Sequence, residues 1–247
     1  MTNKINMEIL VVKDYEAVSS MAAALVTRQL KAKPASVLGL PTGRTPEGLY
    51  RKLAEAFSKG GLSFDSVRTF NLDDYVGLEK NHPDSYYVYM KEHFFSKVNI
   101  RPENIYFLDG ESDNLEDECA NYERDLDDVD GIDLLILGIG HDGHIGFNEP
   151  GESFTSKTHV VNLTESTREA NSDLMVALKE VPKQAITMGI GTMLKARCII
   201  LLASGADKAD ILTKALSGPV TEECPASILQ THADVTVIMD DAAAGIS

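Results

Sequence analysis

Positive charge is what this sequence has least of. Its 247 residues hold 23 lysines and arginines against 38 aspartates and glutamates, a formal charge of −15. That shortage disfavours non-specific binding to nucleic acid or to an anionic membrane, since both depend on basic surface. An anionic substrate would need a locally positive pocket. Cysteine is scarce as well: Cys119, Cys198 and Cys224 are odd in number and far apart, with no C-x-x-C. They read as free thiols in a reducing compartment, so the cytoplasm is the expected location. No apolar run approaches the roughly twenty residues of a membrane span, and no basic segment followed by an apolar one opens the chain. Internal repeats, low-complexity linkers and composition breaks are also missing, so nothing marks a domain boundary.

What the chain has is alternation. Val18, Met21, Ala22, Leu25 and Val26 follow the helical period and predict an amphipathic helix from Asp14 to Lys33. Ser36–Leu40 reads as a short buried strand, and a helix follows with Thr45 as its cap and Pro46 in its first position. Val67–Leu72 is the next strand, Tyr86–Phe95 an aromatic-rich helical segment, Ile105–Leu108 a strand and Leu115–Val129 an acidic helix. After Ile132–Leu137, Thr158–Leu163 looks extended and a polar helical stretch runs from Thr164 towards Glu180. Ala185–Ile190 and Cys198–Ala203 read as two more buried strands, followed by a helix over Lys208–Leu216 and a closing strand over Asp234–Met239. The tail from Asp240 to Ser247 is too small and polar to demand order. This pattern predicts one doubly wound α/β domain over residues 1–247, with a mostly parallel sheet whose strand order the sequence does not give.

The stretch from Ile132 to Gly151 organises the rest. An apolar isoleucine and leucine run empties into a glycine-rich loop holding Asp142, His144 and Glu149. In parallel sheets ligands sit beyond the carboxyl ends of the strands, so this loop is where chemistry is expected. Gly138, Gly140 and Gly143 also spell G-x-G-x-x-G, the dinucleotide fingerprint, which requires a helix to open on the glycines. Asn148-Glu-Pro-Gly151 interrupts the chain where that helix's second turn should be, which argues against a nicotinamide or flavin cofactor.

Two further junctions share the strand, turn and helix order. Pro41-Thr-Gly-Arg-Thr-Pro46 is either an anion site at a helix N-terminus or a well-capped tight turn. Ser204-Gly-Ala-Asp207 leads to Lys208, a helix-start lysine that opposes the macrodipole unless an anion shares the site; a solvated surface lysine is the alternative. Asp73-Asp74-Tyr75 would reach the same sheet edge if its strand is parallel, although paired acids at a strand end also serve as caps.

These residues carry a resemblance. Leu40-Pro-Thr-Gly-Arg-Thr-Pro46, Phe70-Asn-Leu-Asp-Asp-Tyr-Val-Gly77, Asp84-Ser-Tyr-Tyr87, Asp142-Gly-His-Ile-Gly-Phe-Asn-Glu-Pro150 and Pro225-Ala-Ser227, in this order over nearly the whole length, resemble the glucosamine-6-phosphate deaminase, or isomerase, family. The resemblance implies a three-layer, modified Rossmann-like fold. It also implies conversion of glucosamine 6-phosphate and water to fructose 6-phosphate and ammonia, with no redox cofactor and no catalytic metal. Asp73 then looks like the base that moves a proton between C2 and C1, and desolvation suits a carboxylate to that task. His144 resembles the ring-opening acid/base, with Asp142 and Glu149 as the carboxylates that orient and tune it. Thr42, Gly43, Arg44, Thr45, Gly138, Gly146 and Lys208 are the expected substrate and phosphate contacts. The expected partner is a small amino-sugar phosphate, and the expected assembly a monomer or small homo-oligomer.

The sequence departs from the family pattern in two places. Ala170-Asn-Ser-Asp173 stands where many relatives place an arginine that helps bind phosphate, and Arg44 where many have a second glycine. His159 and Val161 occupy positions that are basic in relatives controlled by an acetylated sugar phosphate, so such control is not expected. The alternatives are deamination of an epimer such as galactosamine 6-phosphate, 6-phosphogluconolactonase activity, and a non-catalytic sugar-phosphate sensor. Phe147-Asn-Glu-Pro150 after the histidine and the Asn71-Leu-Asp-Asp-Tyr75 context disfavour the lactonase, and the presence of all four acid/base residues disfavours the sensor.

Overall fold

The computed structural model describes residues 6–246. β1 (Asn6–Val12) leads through α1 (Tyr15–Ala32) to β2 (Val37–Leu40), then to α2 (Glu47–Ser58), β3 (Arg68–Asn71) and β4 (Asp73–Tyr75). α3 (Tyr86–His93), β5 (Ile105–Tyr106), α4 (Leu115–Asp128) and β6 (Leu134–Leu137) follow. The remainder runs β7 (His159–Asn162), α5 (Glu165–Asn171), β8 (Gln184–Thr187), α6 (Ile190–Met193), β9 (Cys198–Ala203), α7 (Ala209–Ser217) and β10 (Asp234–Asp240).

Seven strands form one parallel sheet in the order β1-β10-β9-β6-β2-β3-β5. Side chains alternate across it. Leu134 and Ile136 of β6 enter a core with α1, α2 and α3, whereas Leu135 and Leu137 enter another with α4, α6 and α7. With both faces covered, the central strands read as unbroken apolar runs rather than alternating ones, and all four residues of β2 and of β6 are buried. This is the three-layer, mostly parallel α/β arrangement expected.

The departures from expectation have local causes. Asp73–Tyr75 and Ala185–Ile190 do not continue the main sheet: β4, β8 and β7 form a separate antiparallel sheet, with Asp73 opposite Thr187. Ala185 and Ile186 are as buried there as in a central strand, so the apolar run looked the same. Ile190 already belongs to α6. The predicted helix from Thr164 to Glu180 stops at Asn171, because the buried Asp84 carboxylate takes the N–H groups of Val176, Ala177 and Leu178. Neither Thr45 nor Pro46 caps α2 with a side chain: Pro46 itself sits at the cap, in a helical conformation. The Tyr15 hydroxyl instead accepts from Gly48 N (2.8 Å) and donates to the Arg44 carbonyl (3.0 Å). The tail is ordered through Ile246: Asp240 accepts from Ala243 N at 2.8 Å, and Ile246 N donates to the Asp241 carbonyl. Ser247 lies outside the described residues. β1 was not anticipated. It is an edge strand with Ile9 and Val11 exposed, which blurs its alternation.

Candidate active site

The loops that follow β9, β6, β2 and β3 meet in a cavity of about 350 Å³. These are four adjacent inner strands of the parallel sheet, so the cavity lies beyond its carboxyl edge. Thr42, Gly43, Arg44, Thr45, Asp73, Gly138, His144, Gly146 and Lys208 all line it. Nine of the eleven residues singled out from the sequence therefore converge; Asp142 and Glu149 stand behind the wall.

Asp73 supplies the acidic floor. Leu72 and Asp73 sit where the chain leaves β3 and joins the second sheet: Leu72 N bonds to the Leu40 carbonyl, and the Leu72 carbonyl accepts from Met188 N at 2.7 Å. Burial pushes the Asp73 carboxyl up to about 8, with the neighbouring Asp74 charge adding to the rise. Asp74 rises to about 7, again through burial, but backbone N–H groups of Tyr86 and Tyr75 hydrogen-bond its carboxylate and hold it lower. Asp73 has no such donors and faces the cavity. A buried carboxyl that titrates near neutrality suits proton transfer.

Opposite it, the loop after β6 is built around the His144 ring. Gly140 N donates to the His144 carbonyl at 3.0 Å, and a Cβ on Gly140 would fall 2.2 Å from the imidazole Cε1. Only glycine permits that approach. Asp142 Oδ1 accepts from His144 N at 3.1 Å and lies 2.8 Å from Nδ1, approached obliquely to the ring N–H direction. Burial alone would raise the Asp142 carboxyl, but the His144 hydrogen bond and charge outweigh it and bring it down to about 2. Asp142 therefore stands ionised against the His144 ring. Glu149 does not join them. Its Oε1 accepts from Thr164 N at 3.1 Å, at the start of α5, and Oε2 is buried without a partner. The expected His144–Glu149 contact is corrected accordingly: the turn at Gly146 and Asn148 carries Glu149 towards α5, and Asn148 Nδ2 fixes that turn by bonding the Ile145 and Met188 carbonyls.

The cavity's lysine and arginine come from the turns after β2 and β9. Gly43, at φ 90°, turns the chain so that the N-terminus of α2 faces the cavity. Gly205, at φ 100°, does the same before α7, where Asp240 accepts its N–H at 3.1 Å and also accepts from Ser204 Oγ. Lys208 is mostly buried, which lowers its pKa against the opposing pull of Asp207 and Asp142. Arg44 is exposed, with Nη2 3.4 Å from Asp173 Oδ2.

Tyr86, Phe147, Asn171, Ser204 and Asp207, which stood in quoted motifs without being assigned as contacts, also line the cavity, as does His141, to which no role was assigned from the sequence. Tyr86, Tyr75 and Phe147 form one aromatic wall, with ring centroids 4.9–6.1 Å apart. The aromatic density of Tyr86–Phe95 was the available signal, and core packing was the favoured explanation of it. Pro225-Ala-Ser227 lies outside the cavity and supports it: Ala226 N bonds the Gly143 carbonyl at 2.9 Å, and Ser227 Oγ pairs with the Thr221 backbone. Among the described residues no group of three or more histidine, cysteine or acidic side chains is placed to hold a metal ion.

Comparison with known proteins agrees with this geometry. The family described as glucosamine-6-phosphate isomerases/6-phosphogluconolactonase matches residues 13–238. The glucosamine-6-phosphate deaminase of Thermoanaerobacter pseudethanolicus is 48% identical over 240 residues, covering 97% of this chain and 95% of that protein. One from Clostridium botulinum is 51% identical over 238 residues, covering 96% and 98%. A solved structure described as a monomeric glucosamine-6-phosphate deaminase superposes with a TM-score of 0.95 at 45% identity, over 98% of this chain and all of that one. The 6-phosphogluconolactonase of Thermotoga maritima, at 21% identity and a TM-score of 0.74 over 95% and 99% of the two chains, shares the fold alone. With identity near one half along almost its entire length, the chain belongs to the glucosamine-6-phosphate deaminase, or isomerase, family.

Proposed function

We propose that the chain converts glucosamine 6-phosphate and water to fructose 6-phosphate and ammonia in the cytoplasm, as a monomer made of one domain. The observation that carries this reading is the set of groups the cavity brings together: Asp73, a buried carboxyl that titrates near neutrality, lines it with His144, Lys208, Arg44 and the turns after β2 and β9. The two cations suit a phosphate, which carries close to two negative charges, and a proton-accepting carboxyl together with an acid/base histidine suits an aldose-ketose isomerisation. Hydrolysis of a lactone moves no C–H proton and gives Asp73 nothing to take. The monomeric state follows the solved relative described in those terms.

Each residue then has a task. Thr42, Gly43, Arg44, Thr45 and Lys208 hold the phosphate, and Gly138 and Gly146 leave room for the sugar. His144, oriented by Asp142, takes the proton from the C1 hydroxyl and returns it to the ring oxygen, opening the pyranose. Asp73 removes the C2 proton and delivers it to C1, while one proton of the C2 ammonium passes to the aldehyde oxygen to make the C1 hydroxyl. The C2 iminium so formed adds water, whose oxygen becomes the C2 carbonyl of the ketose, and the nitrogen departs as ammonium. Glu149 ties the catalytic loop to α5. His159, whose Nδ1 lies 2.7 Å from the Lys157 carbonyl and whose Nε2 lies 3.4 Å from Glu152, offers an effector phosphate an acidic neighbour rather than a free cation. Kinetics are therefore hyperbolic and insensitive to the acetylated sugar phosphate.

The test is ammonia release from the purified protein with glucosamine 6-phosphate and galactosamine 6-phosphate in turn, run in deuterium oxide. Deuterium at C1 of fructose 6-phosphate supports the reading. Turnover confined to the galacto epimer moves the substrate assignment, and absence of turnover with both removes the activity. Light scattering across substrate saturation reports the assembly.

A further inference from the structure

Arg44 and Lys208 are the only lysine or arginine residues lining the cavity among those described, and each already has an aspartate at hand. Arg44 Nη2 lies 3.4 Å from Asp173 Oδ2, and Lys208 Nζ lies 3.9 Å from Asp207 Oδ2. The first pair joins two separate elements. Arg44 belongs to the turn after β2, and Asp173 to the 3-10 turn that ends α5, two residues beyond Asn171 in the cavity wall. The ion pair therefore spans the rim of the cavity.

Stability does not account for it. The two side chains are 66% and 79% exposed, and an exposed ion pair contributes little. Its spacing also exceeds the roughly 2.7–2.9 Å of a well-formed charge-assisted bond. A contact of this kind yields readily to a stronger anion, and the anion that the Arg44 turn would receive is a phosphate.

We propose that Asp173 is an affinity-setting residue, a tethered counter-ion that the substrate phosphate must displace from Arg44. The inference rests on the phosphate-binding assignment of Arg44 made above. Because Asp173 is held in place by its own chain, it competes at every substrate concentration, and the phosphate grip is weaker than two cations and two helix N-termini would give. Substrate, product and inorganic phosphate all meet the same competitor. Removing it tightens all three together and leaves the proton transfers at Asp73 and His144 untouched. The consequence for turnover is easier departure of fructose 6-phosphate, which carries the same phosphate as the substrate.

The test is a double-mutant cycle of Asp173→Asn and Arg44→Gln, followed by KM and kcat for glucosamine 6-phosphate and by inhibition constants for fructose 6-phosphate and inorganic phosphate. Asn keeps the size of the side chain and removes its charge. An exposed pair is worth up to about 1 kcal/mol, so Asp173→Asn is expected to lower KM and both inhibition constants in parallel by roughly two- to fivefold, with kcat within about twofold. In the Arg44→Gln background the same change is expected to do nothing. An unchanged or raised KM in Asp173→Asn overturns the proposal. So does an equal gain with and without Arg44, which would mark a general charge effect. If Arg44→Gln alone leaves KM and both inhibition constants unaltered, the phosphate assignment of Arg44 fails first, and that result is separate from a failure of Asp173 to compete.

Discussion

Asp73 and Asp142 are the same side chain near one cavity, yet their surroundings drive them in opposite directions. Asp73 opens β4 among buried groups, beside a second carboxylate and with no donor of its own, and its carboxyl rises to about 8. Asp142 is bonded by the His144 backbone and faced by its ring, and its carboxyl falls to about 2 despite partial burial. What separates them is the donor supply. Burial acts on both, but only Asp142 has a hydrogen-bond donor and a facing imidazole that favour the charged form. Two acids whose environments push their pKa values apart suit different tasks, which is the basis of the roles proposed above: proton carrier for Asp73, support of His144 for Asp142.

The sharpest way to break that contrast is to remove the proton-carrying capacity at Asp73. Asp73→Asn keeps the shape of the side chain and cannot take a proton, so kcat should fall by about 10²–10⁴, the usual cost of losing a positioned general base. Affinity should stay within several-fold. Solvent-deuterium incorporation at C1 reads the step itself, and near-wild-type exchange in the variant would take Asp73 out of the reaction. Asp142→Asn tests the other side. The amide preserves the backbone bond from His144 N but gives up the charge beside Nδ1. Hydrogen bonds to charged groups contribute about 1.5–3 kcal/mol, so a loss of roughly ten- to hundredfold in kcat is expected, with C2 exchange falling in step because ring opening precedes it. Turnover within about twofold of the wild type would take Asp142 out of ring opening.

A smaller effect probes why Asp73 is high. The rise of kcat/KM with pH should follow ionisation of Asp73 in the free enzyme and extend to about pH 8. Asp74→Asn removes the adjacent charge while leaving an oxygen to accept from Tyr86 N, so the limb should move to lower pH. A limb that stays in place assigns the whole rise to burial.

How much of this was legible in the sequence depends on distance along the chain. The strand, turn and helix order at Leu40–Glu47 and at Ala203–Ala209 could be read because each junction is local, and both loops line the cavity as expected. The loop from Gly138 to His144 was legible for the same reason. Partners brought together by tertiary folding were not. Tyr15 replaces Thr45 at the start of α2 from 33 positions before Gly48. Asp84 ends the α5 segment from more than 90 positions away. Glu149 turns from His144 to Thr164 because of where Asn148 is pinned, which no spacing in the motif reveals. The second sheet was hidden because Ala185, Ile186 and Thr187 of β8 are as buried as a central strand, and a short buried run looks alike in either sheet. The Arg44–Asp173 pair joins two positions that stood out separately in the sequence, but only the fold shows that they face each other across 129 residues.

The last prediction concerns stability, where the same two aspartates should again part company. Between pH 4 and about 8 folded Asp73 keeps a proton that the unfolded chain has released, so the folded state binds more protons and stability falls as pH rises through that window. Asp73→Asn abolishes this dependence. Its Tm should match the wild type near pH 4 and exceed it at pH 8, by about 1–3 kcal/mol or roughly 2–10 °C for a chain of this size, since water in the open cavity softens the full effect. Asp142 has the opposite sign. Its depressed carboxyl stabilises the fold above pH 4, and that contribution fades as pH falls towards about 2. Asp142→Asn should therefore lower Tm at pH 7 and converge on the wild type in acid. Calorimetric scans of both variants from pH 4 to pH 8 put the contrast on one axis: the wild type should run below Asp73→Asn and above Asp142→Asn at neutral pH. A Tm for Asp73→Asn that falls below wild type at pH 8 would mean that the carboxylate is satisfied in the folded state, and its role as a base held ready by burial would go with it.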